Sequence, residues 1–161
     1  MPANDDPEKG IGFLLADISR LLRRDFDRRV RDLAITQAQW RALGHLARHE
    51  GINQAALAER LEMQPITIAR LIDRMEAAGW VRRESDTSDR RALLLYLMPK
   101  AKPILDELYA RADGAIDEVM QGISPTARRE LRTTLERMKA NLLTAETATT
   151  ADAPLGKKEH V

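Results

Sequence analysis

"MQPITIARLIDRMEAAGW", residues 63–80, is the stretch on which the reading of the whole chain turns. Pro65 stands where a first helical turn tolerates proline, because the amide it lacks has no intrahelical acceptor there. Gly79 stands where a helix ends in a left-handed residue. With about 100° of advance per residue, Ile68, Leu71, Ile72 and Met75 fall in one arc. Thr67, Arg70 and Arg74 fall in another, and Ile66 also lies on that solvent side. The spacing predicts a helix over 65–78 that docks by one face and offers hydroxyl and guanidinium donors on the other.

Its neighbours complete a recognisable order. Upstream, Gly51 is a break, Ile52 is expected in a very short strand, and Asn53 caps a brief helix whose inner face is Leu57, Ala58 and Leu61. Downstream, "VRRES" (81–85) and "RALLLYL" (91–97) read as a hairpin joined through Asp86 to Asp89. Both strands are too short to stand without helical support. A short helix, a tight turn, a second helix and a β-hairpin are the order of elements in a winged helix-turn-helix.

The flanks are helical. From Ile11, apolar residues recur at Leu14, Leu15, Ile18, Leu22 and Phe26, one stripe of a long amphipathic helix. "ITQAQWRALGHLARH" (35–49) opens with Thr36 and has Gln39 three residues on, a capping box, after which Trp40, Leu43 and Ala47 share a face. Pro99 opens a helix striped by Leu105, Leu108, Ala112 and Ile116, with Pro103 bending or delaying its first turn. Ser124 and Pro125 cap a last helix striped by Leu131, Leu135, Met138 and Leu142. Beyond about Glu146 no apolar periodicity remains, so disorder is expected over 146–161. The stripes at both ends are longer than a small domain can cover. They predict a helical dimerisation region, 10–35 and 99–145, around a winged helix-turn-helix over 36–98. The fold class is mostly α with a small β-hairpin wing.

Composition sets the outer bounds. Of 161 residues 43% are apolar, 32% are charged and only six are aromatic, the balance of a helix-rich chain rather than a β-sandwich. No cysteine is present, which excludes disulfides, thiolate catalysis and thiol redox sensing. The start "MPANDDPEKG" lacks the basic and apolar regions of a signal peptide and no 18-residue apolar run exists, so a cytoplasmic protein is expected. A net charge of +1 does not advertise a nucleic-acid binder. Charge is nevertheless uneven: "RLLRRDFDRRVR" (20–31) holds six arginines against two aspartates, a run whose ordinary reading is a solvated helix face.

Taken together, "ITQAQW", "AALAERLEMQPITIARLIDRMEAAGWVRR" and "DTSDRRALLLYL" resemble the MarR family of bacterial transcription regulators, its SlyA-like branch in particular, over roughly residues 11 to 145. The resemblance implies a symmetric homodimer on a palindromic operator in double-stranded DNA. Gln64, Pro65, Thr67, Arg70 and Arg74 would belong to the helix in the major groove, where arginine reads guanine bidentately. The wing tip, Ser88, Asp89, Arg90 and Arg91, would sit at the neighbouring minor groove, whose negative potential accepts arginine. It further implies repression relieved by a small aromatic acid, for which Trp40 offers a flat wall and Arg20 or Arg23 a cation for the carboxylate. Two departures stand out: "LMP" replaces a threonine at the wing-to-helix junction, and Glu62 and Met63 occupy a turn where glycine is common.

Other classes remain open at this point. His45 and His49 have the four-residue spacing of metal ligands, with Glu50 adjacent, but "HLARH" lacks the internal glutamate of a metalloprotease helix and no third ligand is evident. A metal-responsive regulator is one alternative; a winged-helix adaptor that binds protein rather than DNA is another, told apart by salt dependence. No phosphate loop, serine elbow or paired carboxylate is present, so neither an enzyme nor a resident cofactor is expected.

Overall fold

The computed structural model describes residues 10–86 and 92–151, except for the side chains of 146–151. Among the described residues six α-helices and three short strands follow one another as α1 (Ile11–Arg29), α2 (Gln37–Leu46), β1 (Ile52–Asn53), α3 (Gln54–Leu61), α4 (Pro65–Ala77), β2 (Val81–Ser85), β3 (Leu93–Leu97), α5 (Lys102–Val119) and α6 (Pro125–Ala151). Single 3-10 turns at Arg31–Leu33 and Pro99–Ala101 precede α2 and α5.

The ends of the helices are where local chemistry says they should be. Thr36 Oγ1 accepts from the Gln39 amide at 3.3 Å while Gln39 Oε1 accepts from the Thr36 amide at 2.8 Å, the reciprocal capping box. Asn53 Oδ1 accepts from Ala56 N at 2.8 Å at the start of α3. Gly79, at φ 75°, closes α4: its amide donates to Glu76 O and that of Trp80 to Met75 O, both at 2.9 Å. Pro103 falls in the first turn of α5, where its missing amide costs nothing; the 3-10 turn ahead of it takes up the delayed start.

Two boundaries differ from expectation. α2 ends at Leu46, so His49 lies in the turn after the helix that carries His45. At the other end the backbone stays helical to Ala151, five residues past Glu146. Loss of apolar periodicity reports that a segment packs against nothing; extending a helix already nucleated needs only one hydrogen bond per residue fixed.

The strands form one antiparallel sheet in the order β1-β3-β2, with Ile52 opposite Leu95 and Arg83 opposite Leu95 on the other side. Compactness divides the chain inside α5, into residues up to Ile116 and residues from Asp117. The first unit has a continuous core in which Leu43, Leu46, Leu57, Leu61, Ile72 and Met75 are essentially inaccessible. Val30, Leu105 and Leu108 belong to the same core, so α5 and the residue that ends α1 pack with the winged helix-turn-helix rather than outside the 36–98 segment. Each fully buried leucine is worth roughly 1.5–3 kcal/mol in removal from water. The second unit is α6 with the turn that leads into it, where Ser124 Oγ accepts from Ala127 N at 3.2 Å and Arg128 closes the turn on the Ile123 carbonyl at 2.9 Å.

Candidate nucleic-acid interface and ligand cavity

The turn from α3 to α4 lacks glycine, yet it is built as a glycine turn would be. Glu62 takes the left-handed conformation at φ 55°, its amide donating to Glu59 O at 3.0 Å and that of Met63 to Ala58 O at 2.9 Å. That sharp reversal sends α4 across the core. Ile68, Leu71, Ile72 and Met75 are buried; Gln64, Pro65, Thr67, Arg70 and Arg74 are all exposed, so the five predicted residues share the open face. Arg74 Nε donates to the Arg70 carbonyl at 3.3 Å, leaving its terminal nitrogens toward solvent. The Arg70 guanidinium has no hydrogen-bond or ion-pair partner among the described residues.

What holds this helix in place was not anticipated. Arg83, on β2, donates from Nη2 to Asp73 Oδ1 and from Nη1 to Glu76 Oε2, each at 2.6 Å. The same guanidinium reaches the Ala69 carbonyl at 3.2 Å and Gln54 Oε1 at 3.3 Å. One side chain thereby joins the wing, α4 and the first turn of α3. A signal existed: strand alternation puts Arg83 on the same inward face as Val81, and Asp73 and Glu76 stand one helical turn apart. Next to it Arg82 stacks on Tyr96 with its guanidinium carbon 4.9 Å from the ring centre. The tip residues Ser88, Asp89, Arg90 and Arg91 lie outside the described residues.

The expected ligand residues divide. Trp40 and Arg23 line one cavity of about 230 Å³, walled otherwise by Phe26, Leu105, Leu108, Tyr109 and other apolar side chains of α1, α2 and α5. Trp40 meets Phe26 edge-on at 4.8 Å, and its indole N–H donates to Asp27 Oδ1 at 2.7 Å. Arg20 is not part of this cavity: it pairs with Asp17 at 3.0 Å and lines a separate hollow. The second cation of the cavity is Arg48, which stands in the turn after α2; the sequence runs the helix to residue 49 and so gives no sign that Arg48 turns toward Trp40. A dry apolar cavity of roughly 150 Å³ is enough for benzene, so a single substituted ring fits the space, with Arg23 and Arg48 as its charged walls among the described residues.

The histidines are embedded in positive charge. Partial burial, then the fields of Arg41, Arg60, His49 and Arg48, push the His45 imidazole below its ordinary value. His49 Nε2 lies 3.4 Å from Arg60 Nη1. Among the described residues no three histidine or carboxylate side chains cluster to hold a metal ion. Guanidinium groups on this scale oppose a further cation.

The segment from residue 35 to residue 93, α2 through the start of β3, matches the model of the MarR family. The crystal structure of transcriptional regulator PA3341 is 38% identical, with 83% of this chain and 98% of that one aligned at a TM-score of 0.72. The chain belongs to the MarR family. A MarR-family regulator from Silicibacter pomeroyi is 28% identical over 81% of this chain and 88% of its own, at a TM-score of 0.70. The transcriptional regulator SlyA is 26% identical over 82% and 93%, at 0.68. Members of the MarR family are DNA-binding transcriptional regulators of winged-helix fold, not enzymes. None of the described helices is long and apolar enough to cross a membrane.

Proposed function

We propose that this MarR-family chain is a SlyA-like repressor that binds a palindromic operator as a cytoplasmic homodimer and is released by a small aromatic acid. The observation that carries the reading is the division of α4, with its apolar residues in the core and Gln64, Pro65, Thr67, Arg70 and Arg74 together on the open side. Arg70 or Arg74 makes a bidentate contact with guanine, and Arg90 of the wing enters the adjacent minor groove with Ser88, Asp89 and Arg91 shaping the tip. A homodimer is supported by large apolar side chains that stand exposed among the described residues: Phe13 on α1 is 84% exposed and Leu142 on α6 is 66% exposed. A two-fold axis would set two α4 helices about one turn of DNA apart.

Release follows from the cavity. An aromatic carboxylate stacks on Trp40 and pairs with Arg23 or Arg48, and lowers DNA affinity by the difference in its affinity for two spacings of the α4 pair. The experiment is operator binding by Arg70→Ala and Arg74→Ala across a salt series. A loss of roughly 1–3 kcal/mol in discrimination at one base pair, with the protein still folded, is expected. Unchanged binding to operator and to random duplex in both variants overturns the assignment.

A further inference from the structure

The arginine run of α1 is exposed, as a solvated face would be, and it also borders a hollow. Arg20, Arg24 and Arg28 follow one another at four-residue spacing, and Arg31 lies three residues beyond. Opposite charges at that spacing stabilise a helix and like charges destabilise it. Together with Arg23 these four line a hollow of about 500 Å³ beside the start of α2, at Gln37. Asp27, the one carboxylate in the wall among the described residues, is already committed: its oxygens accept from Trp40 Nε1 and from Gln37 Nε2. Arg20, Arg23 and Arg28 have partners on their own helix, in Asp17, Ser19 and Asp25. Arg24 and Arg31 have none among the described residues.

We propose that this hollow binds a compact polyphosphate anion, two or three linked phosphates of the kind carried by a nucleoside diphosphate or triphosphate. Asp17 and Asp25 offset Arg20 and Arg28, and Asp27 offsets a third guanidinium, so the excess left among Arg23, Arg24 and Arg31 is about two charges, more than a monoanion matches and near that of linked phosphates. Each phosphate can take a planar guanidinium fork through two parallel hydrogen bonds, which is where arginine differs from lysine. The volume is within the ordinary range for a small-molecule site, about 300–1,000 Å³. Bound anion also removes the repulsion along the row, so occupancy stabilises the fold by linkage. Arg23 lines this hollow and the apolar cavity alike. A ligand that re-aims it in one site alters affinity in the other, equally in both directions.

The test is calorimetric titration and thermal unfolding of the full chain with sodium triphosphate, against orthophosphate and sulfate at matched ionic strength. Triphosphate is expected to raise the melting temperature and to bind at least about tenfold more tightly than either single anion. The double variant Arg24→Gln/Arg31→Gln should lose that preference, whereas Arg137→Gln on α6 should keep it. With two like charges removed the double variant is expected to be no less stable than the wild type, so loss of binding is not loss of fold. Equal responses to all three anions, or an undiminished response in the double variant, overturn the proposal. So does a wild type indifferent to triphosphate whose double variant binds random duplex DNA more weakly with a flatter salt slope; the row then serves the DNA backbone.

Discussion

Arg83 Nη2 donates to Asp73 Oδ1 at 2.6 Å, a bond between the first strand of the wing and the solvent-side edge of α4. The Arg83 side chain is only 18% exposed while Asp73 is 63% exposed, so solvent screens the ion pair itself. More of its worth lies in the bonds to the Ala69 carbonyl and Gln54, which orient α4 against α3 and β2. Arg83→Ala is expected to lower unfolding stability by roughly 1–3 kcal/mol. Arg83→Lys, which keeps the charge but not the planar fan of donors, should recover less than half of it in urea unfolding. Wild-type stability in both variants would mean the fan is decorative.

Glu62 sits in the left-handed region, where a side chain costs roughly 1–2 kcal/mol relative to right-handed helix and glycine costs little. After allowing for glycine's larger unfolded-state entropy, Glu62→Gly should stabilise by about 1 kcal/mol at most, seen as a raised denaturant midpoint at unchanged slope. Glu62→Val, β-branched, should move the midpoint the other way.

Asp27 holds Trp40 through a charge-assisted bond of 2.7 Å. Asp27→Ala leaves the indole N–H without that acceptor, and a loss of roughly 1–2 kcal/mol in stability is expected. Because Trp80 is the only other tryptophan, indole fluorescence in a Trp80→Phe background reports on Trp40 alone. A salicylate-like anion should quench it in the wild type, with a weakened response when Arg23 or Arg48 is replaced by glutamine.

His45 is held neutral by partial burial and by the surrounding arginines, so its folded-state value lies below the ordinary 6.5. On acidification the unfolded chain takes up this proton first, and stability falls as the pH drops from about 6.5 through the folded-state value. His45→Gln should flatten the stability–pH profile in that window and leave it unchanged above pH 7.5. Denaturant midpoints between pH 5 and 8 measure it; a steeper acid loss in the variant would reverse the sign assigned to the site.

The helix-turn-helix was legible because its signals are local. Asn53, Pro65 and Gly79 act on the backbone within one turn of themselves, and the arc of Ile68, Leu71, Ile72 and Met75 repeats at helical spacing, so the chain alone determined both α4 and its outward face. The placement of Gln64, Thr67, Arg70 and Arg74 follows from that arc without any knowledge of the rest. Three things needed the tertiary structure. Arg83 finds acceptors seven to twenty-nine residues away, and only the docking of β2 on α4 brings them together. Arg23, Trp40 and Arg48 share a cavity because α1, α2 and α5 converge, whereas Arg20, three residues from Arg23, turns toward a different hollow. The arginine row looked like a solvated face in one dimension, where nothing marks concavity. A helix face is set by spacing along the chain; a cavity is set by which faces of different helices the burial of apolar surface forces together, and no spacing encodes that.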